Sequence, residues 1–163
     1  MALTFTTPTP VENAQHHASA AASNAAVAAD AVAELHAALA AVEDYGVPRV
    51  HFGTGTSELL GAMREAGADV VGVDHRLDLD EAAARLGGDP VLQGNIDPAV
   101  LFTSEEARFA EARGVLEAGA AAAGHVVNLG HGVPPDTDPQ VLTDLVAFLH
   151  SQRVARAAEA PEA

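Results

Sequence analysis

The sequence predicts an α/β fold of four consecutive βα units on a parallel sheet with right-handed crossovers, preceded by an alanine-rich helical segment. Three observations predict it. First, four short runs share one design: "GVPRVHFGTG" from Gly46, "GADVVGVDH" from Gly67, "GDPVLQGNIDP" from Gly88 and "GHVVNLGHG" from Gly124. Each begins at glycine, passes through β-branched or apolar residues without clean alternation, and ends in glycine plus a polar residue. Near-continuous apolar runs of this kind are the pattern of strands covered on both faces. Second, helix signals with their own starts and stops lie between the runs. Third, strand and helix alternate in strict order, as parallel connections require. Four such units do not close a barrel: eight make the (β/α)8 fold, and four leave two strand edges unpaired.

Taken in order, residues 1–29 form a segment distinct from the rest of the chain. Thr7-Pro8-Thr9-Pro10 is an extended or turn-forming start, and "HHASAAASNAAVAAD" is rich in alanine with almost no large apolar side chain. Alanine favours helix, but a helix without an apolar stripe gains little from docking, so a frayed or solvent-exposed helix is expected there. His16-His17 reads as two exposed polar residues rather than a metal contact.

The folded domain spans residues 30–152. Val32, Leu35, Leu39 and Val42 recur at helical spacing, and Gly46 with Pro48 stops that helix near Tyr45. After the first run, "SELLGAMREAG" places Leu59, Leu60 and Met63 on one side of a helix that Gly67 ends. Asp78 with Glu81, and Thr103 with Glu106, have the spacing of capping boxes that open the next two helices. Asp138-Pro139 fits an N-cap followed by proline at the first helical position, and Val141, Leu142, Leu145, Val146 and Leu149 mark that helix's buried stripe. Residues 153–163 form a polar, alanine-rich tail.

Composition narrows the functions available. At 163 residues, with 48% hydrophobic but only 4% aromatic, the chain can bury one thin core. Twenty-three acidic residues against eight basic ones give a net charge of −15, and every basic residue is arginine. Such a field repels phosphate backbones and anionic membranes, so neither nucleic acid nor membrane is an expected partner. The absence of cysteine excludes disulfides and zinc-thiolate sites. The start lacks the regions of a signal peptide, and no apolar run nears membrane-spanning length, so a cytoplasmic location is expected.

In βα architectures the ligand site lies at the carboxyl ends of the strands. Those ends carry Thr54 and Thr56, then Asp74, His75 and Arg76, then Asn95 and Asp97, then Asn128 and His131. His131 is flanked by glycines that leave its imidazole uncrowded, free to donate to a carboxylate or pyrrole-type ligand or to move a proton. It can equally cap backbone carbonyls in a tight turn. Asp74 can bind a cationic group, although a strand-end aspartate more often accepts bonds from loop amides. Asn95 and Asp97 in "GNIDP" more often build an Asx turn than hold a ligand, and His75 beside Arg76 is either a carboxylate contact or an exposed loop pair. A metal site from His125, His131 and Asp136 is disfavoured, because alternation along the strand separates the two histidines. "GTGTSELLG" lacks the lysine of a phosphate-binding loop.

The motifs "VVGVD", "LQGNIDP" and "NLGHGVPPDTDP", each closing a βα unit, resemble the C-terminal half of the uroporphyrinogen decarboxylase family over about Val32 to His150. "GNIDP" stands where that family has Gly-Asn-Leu-Asp-Pro, and "NLGHG" is close to diagnostic. The resemblance implies the last four units of a (β/α)8 TIM barrel and a cofactor-independent lyase of haem (porphyrin) biosynthesis. That enzyme decarboxylates the acetate side chains of uroporphyrinogen to methyls, giving coproporphyrinogen. By the same resemblance His131 lines the cleft and contacts substrate, with Asp74 and Asn95 as weaker candidate contacts, and no cofactor or metal is implied.

The family's carboxylate-binding arginines and its pyrrole-binding aspartate belong to its N-terminal half, to which nothing in this chain corresponds; Met1 to Ala29 contain no arginine. The family also usually follows the "GVD" aspartate with tryptophan, where this chain has His75. An octacarboxylate approaching so acidic a chain without those arginines would be poorly held. Three readings are open: an enzyme completed by a homodimer or by a complementing N-terminal half; a non-catalytic half-barrel binding or interaction module; and a truncated remnant. The homodimer supplies two copies of His131 but neither the aspartate nor the arginines. Zinc-dependent methyltransferases of the same superfamily are disfavoured by the lack of cysteine.

Overall fold

The structure is a computed structural model and describes residues 30–152. The expectations for residues 1–29 and 153–163, His16-His17 included, lie outside the described residues. Helix α1 covers residues 30–40 and is followed by a 3-10 turn, Glu43–Tyr45. Gly46 closes that turn in the left-handed region at φ 65°, donating its N–H to the Glu43 carbonyl at 3.1 Å. Leu35 and Leu39 pack against the core, whereas Val42, expected on the same stripe, is exposed because the chain has already left the α-helical path.

Strands β1 (Val50–Phe52), β2 (Val70–Gly72), β3 (Val91–Ile96) and β4 (Gly124–Leu129) form one four-stranded parallel sheet in the order β1-β2-β3-β4. Val50 pairs with Val70, Val71 with Leu92, and Asn95 with Asn128. Helices α2 (Leu60–Glu65), α3 (Leu79–Leu86), α4 (Glu105–Gly119) and α5 (Pro139–Ser151) follow the strands in turn. The four consecutive βα units read from the sequence are therefore present, with the geometry of half a TIM barrel.

Helix ends follow local chemistry, with two corrections. Asp138 caps α5 by accepting the Gln140 N–H at 2.9 Å, with Pro139 next in line. Gly67 ends α2 at φ 103° with its N–H on the Arg64 carbonyl. The cap of α4, however, is Ser104 rather than Thr103: its hydroxyl accepts from Ala107 N, while the Thr103 hydroxyl turns back to the Val100 carbonyl at 2.7 Å. Asp78 holds the N-cap position of α3, yet the Glu81 N–H is taken by Asp80 at 2.8 Å, so no capping box forms there.

The core lies between the sheet and its helices. Val71, Val73, Leu92 and Ile96 meet Leu60, Met63, Leu79, Ala82, Val115 and Leu145 in one cluster, most of them almost fully buried. Leu59 and Val146, expected on buried stripes, are exposed. On α5 the stripe turns instead toward Phe148, whose ring stacks on Phe109 of α4 with centroids 4.1 Å apart.

The apolar strand runs predicted cover on both faces, and the structure supplies it on one. Register places Val50, Phe52, Gln93, Val126 and Asn128 on the face away from the helices. Phe52 is 40% and Val126 49% exposed there. Val50, Phe52 and Val126 make much of this face apolar, but among the described residues no helix or strand lies over it. Likewise β1 and β4 each keep one edge without a partner strand among the described residues. No helix among the described residues is long and apolar enough to cross a membrane.

Candidate functional site

The carboxyl ends of the strands are tied together by one loop, residues 73–78, between β2 and α3. Its anchor is Asp74. The carboxylate is 2% exposed and accepts from the Gly55 N–H of the β1–α2 loop, from the Arg76 N–H at 3.0 Å and from the Arg76 guanidinium Nη1 at 2.7 Å. Burial pushes this carboxyl up, but the Gly55 and Arg76 amides and the guanidinium together outweigh it and hold it below the ordinary carboxylate range.

Asn95, 6% exposed at the end of β3, fixes the same loop from below. Its side-chain amide donates to the carbonyls of Asp74 at 2.9 Å and Leu77 at 2.6 Å. The loop thus passes across the end of β3 and reaches β4, where His75 lies against Gly130. A Cβ at Gly130 would collide with the backbone nitrogen of His75, and His75 Nδ1 stands 3.4 Å from the Gly130 carbonyl. Glycine at this position is a condition of the close approach.

His131 comes directly after Gly130 and is exposed. Its Nδ1 accepts the N–H of Gly132 at 2.7 Å, which shapes the turn and leaves the ring proton on Nε2. Both readings of His131 therefore meet in one residue: one nitrogen serves the turn, while among the described residues no partner meets the other. The structure brings Asp74, His75, Arg76, Asn95 and Gly130 into one strand-end cluster, and His131 follows Gly130 in the exposed turn beside it.

Other candidates stand apart. Thr56 donates its hydroxyl to the Gly53 carbonyl at 2.8 Å, and Asp97 accepts the Ala99 N–H at 2.8 Å to cap the 3-10 turn Pro98–Phe102. Thr54 is exposed on the β1–α2 loop, and Asn128, also exposed, accepts the N–H of its neighbour Leu129 at 2.9 Å. His125 points to the helix side, bonded through Nε2 to the Gly94 carbonyl at 2.7 Å and packed under Gly119, away from the turn of His131. Among the described residues no set of three His, Asp or Glu side chains is grouped to hold a metal.

Sequence reasoning missed Phe52. Its side chain lies so close over Gly72 that a Cβ there would strike it, which places an aromatic ring on the uncovered face below the mouth. The one signal was a glycine interrupting "VVGV".

Residues 22–152 match the family model described as Uroporphyrinogen decarboxylase (URO-D), so the match begins inside the alanine-rich segment that composition sets apart. The uroporphyrinogen decarboxylase of Streptomyces avermitilis is 65% identical over 112 residues, covering 69% of this chain and 32% of that protein. That of Streptomyces coelicolor is 62% identical over 112 residues, with 69% and 32% covered. That of an Arthrobacter species is 61% identical over 114 residues, with 70% and 33% covered. The chain spans about a third of the length of the curated relatives it matches.

Proposed function

The chain belongs to the uroporphyrinogen decarboxylase family, and from that premise we propose that its strand-end mouth forms part of a cleft for an acidic tetrapyrrole, decarboxylating uroporphyrinogen to coproporphyrinogen when the remaining wall is supplied. The observation that carries this reading is the Gly130-His131-Gly132 turn: it presents Nε2 of His131 to solvent at the carboxyl end of β4. There the imidazole N–H can donate to a ligand carboxylate or to a pyrrole-derived group. Each turnover breaks the bond between an acetate methylene and its carboxylate, releases carbon dioxide and places a proton on the methylene carbon. Asp74 and Asn95 act on this chemistry through position, since both are buried and committed to the loop they hold. The proposed setting is haem biosynthesis in the cytoplasm, and no cofactor or metal is invoked.

The face left uncovered and the edges of β1 and β4 left unpaired among the described residues support a completing partner, either an N-terminal half of the family or a second copy of this chain. The N-terminal half is the better occupant, because a second copy repeats the residues already present and adds none of the arginines or the aspartate that the family carries in its N-terminal half.

The test is an anaerobic assay with uroporphyrinogen. The purified chain is compared with the chain mixed with the separately produced remainder of the Streptomyces avermitilis enzyme, and less-carboxylated products are separated by chromatography. Turnover in the mixture is the expected result. Tetrapyrrole binding without turnover in either sample selects the binding-module reading, and neither binding nor turnover overturns the proposal.

A further inference from the structure

We infer that Arg76 is a carboxylate-binding residue of the strand-end mouth, receiving one acidic side chain of the ligand; the inference rests on the tetrapyrrole reading of that mouth. Cations are scarce in a chain of net charge −15, so where each arginine is committed matters. Arg49 is forked onto Asp69, and Arg85 is bonded to Glu81 and Glu58. Arg64 is spent on the carbonyls of Leu86 and Gly87, Arg108 is buried in the helix layer, and Arg113 lies over the Phe148 ring. Among the described residues, Arg76 alone stands in the strand-end cluster.

Its surroundings suit a receptor for a carboxylate. The side chain is 57% exposed, and only Nη1 is engaged, at 2.7 Å from Asp74. Nε and Nη2 meet no acceptor among the described residues. Asp74 cannot turn away, because the Gly55 and Arg76 amides hold it inside the protein. The guanidinium is thereby fixed before a ligand arrives, so little side-chain entropy is lost on binding. Its free donors form the planar edge that a carboxylate meets with paired bonds. His75, packed against Gly130, adds a ring nitrogen to the same cluster.

The test titrates uroporphyrin, the oxidised octacarboxylate, with the full chain and follows porphyrin fluorescence, with thermal melts of every variant in parallel. Relative to wild type, R76Q is expected to bind roughly tenfold or more weakly, the scale of a lost charged hydrogen bond. R76K, which keeps the charge but lacks the fork, should recover part of that loss. The gap between wild type and R76Q should narrow as salt is raised, which a purely structural role would not produce. Equal affinity of R76Q and wild type overturns the role of Arg76 and leaves the tetrapyrrole reading standing. No binding by the wild-type chain, either alone or completed by the remainder of the Streptomyces avermitilis enzyme, overturns both. Should R76Q fail to fold, R76K decides: weaker binding supports the inference, and unchanged affinity overturns it.

Discussion

The side-chain amide of Asn95 donates to the backbone carbonyl of Asp74 at 2.9 Å, so the end of β3 holds the loop on which the strand-end cluster is built. The same amide reaches the Leu77 carbonyl at 2.6 Å, and the whole group is buried. Asn95→Ala should therefore leave two buried carbonyls without a donor and destabilise the fold by about 2 kcal/mol or more. Urea unfolding followed by circular dichroism measures this. A loss below about 0.5 kcal/mol, the range of ordinary surface changes, would show that the amide does not hold the loop.

Gly130→Ala should also be severe, for a steric reason. The new methyl would meet the His75 backbone, which cannot rotate aside as a side chain can. We expect a loss of about 2 kcal/mol or more. At Gly132, where a Cβ would meet nothing, alanine should cost much less. Comparable melting temperatures for the two variants would contradict the packing of His75 on Gly130.

Asp69 gives the chain an acid-sensitive contact at the opposite ends of the strands. The Arg49 side chain and amide hold its carboxyl at about 2, well below its ordinary value. A depressed folded-state pKa contributes stability above the unfolded-state value of about 3.9, and that contribution is lost as pH falls toward about 2. Asp69→Asn should flatten the dependence of stability on pH in that window and leave the slope near neutrality unchanged. Identical acid-unfolding curves for wild type and variant would exclude the contact as a contributor.

His131→Ala separates site from scaffold. The ring is exposed and its one bond is to the adjacent Gly132, so stability should change by no more than about 0.5 kcal/mol. Turnover of uroporphyrinogen in the completed barrel should fall by roughly tenfold to a hundredfold, the scale of one lost charged hydrogen bond. Wild-type rates would remove His131 from the chemistry, and a large loss of helical signal would assign it to the turn instead.

Much of the fold was legible in the sequence because the signals were local. Glycine-bounded apolar runs marked β1 to β4, and Asp138-Pro139 marked the start of α5. Where two local donors compete, the sequence is ambiguous: Thr103 and Ser104 are adjacent hydroxyls, and backbone direction chose Ser104 as the cap. Leu59, Val42 and Val146 have the right periodicity for burial, yet Leu59 precedes the short α2 as its N-cap, Val42 lies where the chain enters a 3-10 turn, and on α5 the stripe turns toward Phe148.

By itself, the sequence determined the α/β order of elements, the parallel sheet and the strand ends at which polar residues gather, because period, caps and glycines act within a few neighbours along the chain. Motif order also carried the family. Only the tertiary structure decided what those polar residues do to one another. That Asp74 accepts from Gly55, that Asn95 bolts the loop across β3, and that His75 rests on Gly130 are contacts between residues 19, 21 and 55 positions apart. Such distances close only when the sheet brings the strand ends side by side, and no local pattern encodes which donor then meets which acceptor.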